Sequence, residues 1–121
     1  MSNNLKFYIN GQWVDSSTSN TLDVINPATE ESIGKIAMGG QKDVDDAVAA
    51  AKAACDSFSM TAREEGDALR EKIIEKYLER MGDIAAAISQ EMGAPLPLAN
   101  KAQAPAGLGH LMTVLEILKN Y

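Results

Sequence analysis

The apolar residues change their spacing once along the chain, and the change falls at Gly39-Gly40. Before that point, short apolar runs alternate with polar residues and turn dipeptides. After it, apolar residues recur at intervals of three and four. The first period fits half-buried strands and the second fits amphipathic helices. The chain therefore reads as β over residues 1–40 and as α over residues 41–121.

The β part begins with a hairpin. Phe7-Tyr8-Ile9 and Trp13-Val14 flank Asn10-Gly11-Gln12, and Asn-Gly accepts the positive φ angles that a tight hairpin turn needs. The Ser- and Thr-rich stretch from Asp15 to Asn20 reads as a surface loop. Thr21–Ile25 and Ser32–Ala37 are two further strands. Asn26-Pro27-Ala28-Thr29 between them is turn chemistry, because the residue before proline is steered away from helix.

About four helices follow. The first is expected from Asp43, with Val44, Ala47, Val48, Ala51 and Ala54 or Cys55 on one face. Asp43, Asp45 and Asp46 crowd its start, where negative charge suits the helix dipole. A second helix is expected from Thr61, with Thr61 and Glu64 as a capping box. Its apolar face is Leu69, Ile73, Ile74, Tyr77, Leu78 and Met81, and Gly82-Asp83 reads as a joint before Ile84, Ala87, Ile88 and Met92. Gly93-Ala94-Pro95-Leu96-Pro97 ends that segment. The last helix runs from about Leu98, with Leu108, Leu111, Met112, Leu115 and Leu118 as its stripe. Pro105 lies inside it and predicts a bend or break.

The core these elements can build is shallow. Leu, Ile, Val and Phe number 26 of 121 residues, and a further 18 are Ala, which buries little area. A packing partner outside the chain is therefore expected. Acidic residues outnumber basic ones 17 to 11, for a net charge of −6. No basic patch is available to neutralise phosphates, which argues against nucleic-acid binding. No apolar run reaches the roughly 18 residues that span a bilayer. No secretory segment opens the chain, and a single cysteine excludes an internal disulfide. A cytoplasmic protein that binds neither membrane nor nucleic acid is the expectation.

Little of the sequence carries chemistry. Cys55 lies in an Ala-rich helical run beside Asp56, which disfavours the thiolate, so it reads as a small packing residue. His110 reads as a residue of a partly buried helix face. One His and one Cys are too few for a zinc site. Glu64, Glu71, Glu75 and Glu79 read as solvated helix charges. Glu91 sits at a helix end before Gly93 and Pro95. A carboxylate there could help to hold a cation or could act as an exposed local charge. Gly34, Gly39 and Gly40 do not make a phosphate-binding loop.

The order of three motifs carries more information. Asn10-Gly11-Gln12-Trp13-Val14, then Ile25-Asn26-Pro27-Ala28-Thr29, then Asp43-Val44-Asp45-Asp46-Ala47-Val48 resemble the N-terminus of the NAD(P)-dependent aldehyde dehydrogenase family. Glu91-Met92-Gly93 is similar to a later family segment of an acidic residue, any residue and glycine. The resemblance spans essentially the whole chain. It implies the N-terminal part of an α/β, aldehyde dehydrogenase-like fold, a segment of the coenzyme-binding domain. It also implies an enzyme that oxidises an aldehyde to a carboxylic acid with NAD or NADP, usually as a homo-oligomer.

The resemblance further implies that the catalytic cysteine, the glutamate base, the oxyanion asparagine and the coenzyme glycine motif all lie beyond Tyr121. No catalytic and no cofactor-binding residue is then assigned within residues 1–121, and NAD or NADP is not expected to bind this segment alone. One site carries over in part: a monovalent cation held by the backbone carbonyls of Val24 and Ile25 and the side chain of Glu91, with a further ligand outside. Gly66, Arg70 and Cys55 depart from the family pattern and imply relaxed helix packing. Glycine within a helix costs about 1 kcal/mol relative to alanine. The alternative reading is a non-enzymatic helical module that self-associates or pairs with another chain through its leucine stripes.

Overall fold

The computed structural model describes residues 3–120. They form two compact units: residues 3–25 with 30–60, and residues 26–29 with 61–120. The change from strand to helix falls between Ala37 and Gln41, as the spacing predicts. The units divide elsewhere, because the first helix belongs with the strands.

The first unit opens with β1 (Lys6–Ile9) and β2 (Gln12–Asp15), an antiparallel pair that sets Phe7 opposite Val14 and Tyr8 opposite Trp13. Asn10 and Gly11 take φ of 51° and 76°, the two positive values of the expected tight turn. The Tyr8 and Trp13 rings meet edge to face with centroids 5.3 Å apart, a cross-strand contact typical of such hairpins. A second two-stranded sheet joins β3 (Thr21–Asn26) to β4 (Glu31–Ala37). At the turn that follows β3, the Asn26 side chain accepts the Ala28 N–H at 2.9 Å, and the Thr29 N–H donates to the Asn26 carbonyl.

Helix α1 spans Gln41–Phe58 and starts two residues before Asp43. Gly40 is its N-cap, so Asp43 occupies the third helical position, and its carboxylate accepts the Gly40 N–H at 2.8 Å. The loop over residues 16–20 does more than cover the surface. The Ser16 and Thr18 hydroxyls donate to the Met38 carbonyl at 3.1 and 2.7 Å, and the Met38 N–H donates to the Asn20 carbonyl at 2.8 Å. The apolar stripe of α1 stays uncovered: Val44 and Val48 are 55% and 60% exposed.

The second unit is built on α2, one unbroken helix over Arg63–Met92. No joint occurs at Gly82-Asp83. A lone glycine costs about 1 kcal/mol, which long tertiary packing overrides. The capping box at Thr61 is also absent. Ala62 is the N-cap and has no side-chain cap bond, which puts Thr61 one residue too early to reach the third-position N–H. The helix ends on Gly93 in the left-handed conformation at φ 70°, the conformation that favours glycine at a helix end. A side chain there would be strained and would also meet the Pro27 ring at 2.9 Å.

One continuous helical run follows, so the described residues hold three such runs rather than about four. It comprises α3 (Leu96–Leu98), a π-helical turn (Ala99–Gln103) and α4 (Ala104–Asn120). The disturbance that Pro105 predicts takes the form of this π turn just before it. A wider turn absorbs the missing N–H without ending the helix.

Packing between α2 and this run centres on alanine. Ala85, Ala99 and Ala104 are fully buried, with Met81, Ile84 and Ile88 against them. Ile74 and Tyr77 of α2 and Leu108, Leu111, Leu115 and Leu118 of α4 are half-buried. Leu69, Ile73 and Leu78, expected on the same buried stripe, are exposed. The contact face is therefore narrower than the apolar face of the sequence. The Tyr77 hydroxyl donates to the Ala104 carbonyl at 2.8 Å, and Gly107 makes room for it.

Two helical glycines are expected to respond oppositely to alanine. A Cβ at Gly107 would lie 2.3 Å from the Tyr77 hydroxyl, so Gly107→Ala should cost roughly 1–3 kcal/mol through overpacking. A Cβ at Gly66 would meet only the mobile end of Arg70 at 3.0 Å, so Gly66→Ala should stabilise by about 0.5–1 kcal/mol. Urea unfolding midpoints of both variants check the two signs.

Candidate functional site

The residues expected to hold a cation fall in different units. Val24 and Ile25 lie on β3 of the first unit, Val24 half-buried and Ile25 exposed. Glu91 is the penultimate residue of α2 in the second unit, and it is exposed. Among the described residues, no group of three or more His, Cys, Asp or Glu side chains could hold a metal ion.

Cys55 and His110 also lie in different units, on α1 and α4. The packing roles expected for them are not what the structure shows. Both side chains are exposed. His110 lines a small groove with Arg70, Ile73, Leu111 and Val114. Arg70 leans on Asp67 at 3.3 Å, and Gly66 one turn earlier leaves its guanidinium space. Gly66 and Arg70 thus form one local arrangement.

Two larger open grooves are apolar. One, of about 550 Å³, runs between β1 and α1 past Phe7, Ile9, Val44 and Val48. The other, of about 490 Å³, runs along α2 and α4 past Ile74, Met112 and Leu115, with Glu71, Glu116 and Lys119 at its rim. Lys119 donates to Glu71, and this contact raises the Lys119 pKa above 10.5. The pair is exposed at both ends, so solvent screens it.

A densely bonded polar cluster surrounds Asp43, a residue the sequence marks only as a helix-start charge. Its carboxylate accepts the Ser17 N–H at 2.9 Å, the Ser17 hydroxyl at 2.7 Å and the Gly40 N–H at 2.8 Å. The Gly40 N–H above all, then the Ser17 hydroxyl, hold its pKa below the ordinary 3.8, because each bond favours the charged form. The cluster is made of neutral donors within the chain.

A sequence model of the aldehyde dehydrogenase family matches residues 13–120. A Staphylococcus aureus protein designated an aldehyde dehydrogenase is 47% identical over 116 residues, which is 96% of this chain and 24% of that protein. The chain belongs to the aldehyde dehydrogenase family.

Solved structures agree. A Bartonella henselae aldehyde dehydrogenase superposes with a TM-score of 0.96 at 42% identity, covering all of this chain and 25% of the other. Aldehyde dehydrogenase C of Pseudomonas syringae, crystallised as a variant with NAD+ and octanal, gives 0.95 at 39% identity over 98% of this chain and 24% of the other. The hairpins and helices described above are thus a part of the aldehyde dehydrogenase fold. The chain spans about a quarter of the length of the relatives it matches.

Proposed function

We propose that residues 1–121 are the N-terminal part of an NAD(P)+-dependent enzyme that oxidises an aldehyde to a carboxylic acid. In this reading they supply scaffold to its coenzyme-binding domain rather than catalytic groups. The observation that carries the reading is colinearity: 96% of the chain aligns at 47% identity with one quarter of a family member. The exposed apolar side chains of α1, α2 and α4 support it, since a scaffold segment needs further surface to pack on.

Bound NAD+ or NADP+ supplies the hydride acceptor in such an enzyme. The residues described here do not fit that coenzyme. Both larger grooves present carboxylates, and Lys119 at the rim of one is held by Glu71. A pyrophosphate would need N–H donors or cations there. Coenzyme binding is therefore not assigned to these grooves, and the family resemblance assigns catalysis outside residues 1–121. A monovalent cation held by the Val24 and Ile25 carbonyls and the Glu91 side chain belongs to the same proposal and rests on the family resemblance. So do a homo-oligomeric assembly and a cytoplasmic location. No helix among the described residues is long and apolar enough to cross a membrane.

The purified 121-residue chain, mixed with octanal and either NAD+ or NADP+, should give no absorbance rise at 340 nm above the protein-free control. Sustained aldehyde-dependent reduction of the coenzyme would place the chemistry within these residues and overturn the scaffold reading. A second reading, self-association of the isolated chain, is favoured by Leu69, Ile73, Met112 and Ile117, which are 45–58% exposed. Light scattering should then give a mass above the 12.9 kDa of one chain, falling on dilution as mass action requires. A concentration-independent monomer would remove that reading.

A further inference from the structure

We infer that Asp43 is the carboxylate of an acid-opened latch that fastens Ser17 to the start of α1. Asp43 and Ser17 lie 26 residues apart in the chain. Asp43 is 8% exposed. One oxygen accepts the Ser17 N–H at 2.9 Å. The other accepts the Ser17 hydroxyl at 2.7 Å and the Gly40 N–H at 2.8 Å, and lies 3.4 Å from the Ser16 hydroxyl, whose single proton is shared with the Met38 carbonyl. The Ser17 N–H, the Ser17 hydroxyl and the Gly40 N–H all donate to it, and each such bond is stronger to an ionised carboxylate than to a neutral carboxyl group. On protonation one oxygen becomes a donor itself; the serine hydroxyls can turn to accept from it, but the two backbone N–H groups cannot. The Gly40 N–H and Ser17 N–H then both face a neutral carboxyl in place of an ionised one, and their bonds weaken together.

The charged groups nearby do not replace that interaction. Lys42, the adjacent residue on α1, bonds to Asp46, and Asp45 accepts from Gln41. Asp15, where the loop leaves β2, pairs with Lys6 of β1 at 3.0 Å. Tyr8 of β1 lines the same groove as Asp43. Lys35 of β4 pairs with Asp23. The latch depends on neutral donors and on the positive end of the α1 dipole.

The sign of its pH dependence follows. Those donors depress the folded-state pKa of Asp43 below 3.8, so the contribution is complete above the unfolded-state value and is lost as pH falls through the folded one. Opening is local. The Thr18 hydroxyl and the Asn20 carbonyl stay bonded to Met38, and neither bond involves an ionisable group.

Amide hydrogen exchange of the 121-residue chain, followed by NMR from pH 6 to pH 2 against the unprotected rate at each pH, tests the latch. Ser17 and Gly40 should lose protection together by at least about tenfold, while amides in the middle of α1 keep theirs. Their shared midpoint should fall below 3.8. In Ser17→Ala the Gly40 midpoint should move up toward that value, because one donor to the carboxylate is gone. In Asp43→Asn no midpoint should remain at either amide. The inference is overturned by protection at Ser17 that persists to pH 2. It is equally overturned by the same midpoint in Asp43→Asn, or by loss of α1 protection in the same step, which is global unfolding. None of these outcomes depends on the dehydrogenase reading.

Discussion

Alanine at three positions lets α2 and the terminal helical run approach each other. Ala85, Ala99 and Ala104 are fully buried, while no large side chain among the described residues is. Small residues bring the helix backbones close, and closeness lets Tyr77 reach the Ala104 carbonyl across the seam. Gly107 follows from the same approach, since any Cβ there would overlap the tyrosine hydroxyl. The second unit is thus held by tight backbone contact over a small area rather than by a deep apolar core. Close packing of this kind is intolerant of added volume.

The first unit is held differently. Its strands come in pairs, its single long helix leaves an apolar stripe exposed, and its best-buried side chain is a carboxylate. Asp43 satisfies donors from Gly40 and from Ser17, and so ties the loop after β2 to the start of α1. Buried charge is tolerable when fully hydrogen-bonded. Neither unit covers its own apolar surface, which is the behaviour expected of a quarter of a larger fold. The family match supplies that larger fold.

Local chemistry made part of this legible in the sequence. Asn10-Gly11 identifies its turn, because the needed φ values are a property of those two residues. The switch from strand to helix is visible because the apolar period changes there. Other features depend on residues far away. Asp43 looks like any helix-start acid, because its loop partners lie 26 positions earlier. Gly82 looks like a hinge, because the packing that carries α2 through it comes from α3, the π turn and α4. Cys55 and His110 look like packing residues, yet both are exposed. The resemblance gives the family and, of a site, only the partial cation set of Val24, Ile25 and Glu91.

The central claim is that this chain contributes structure to a longer enzyme. Its most direct test is the intact mass of the polypeptide in the cells that make it, detected with an antibody raised against residues 1–121. The account predicts a species about four times the 12.9 kDa of this chain, since relatives are matched over about a quarter of their length. A single species at 12.9 kDa would contradict it and would remove the dehydrogenase activity from this gene product.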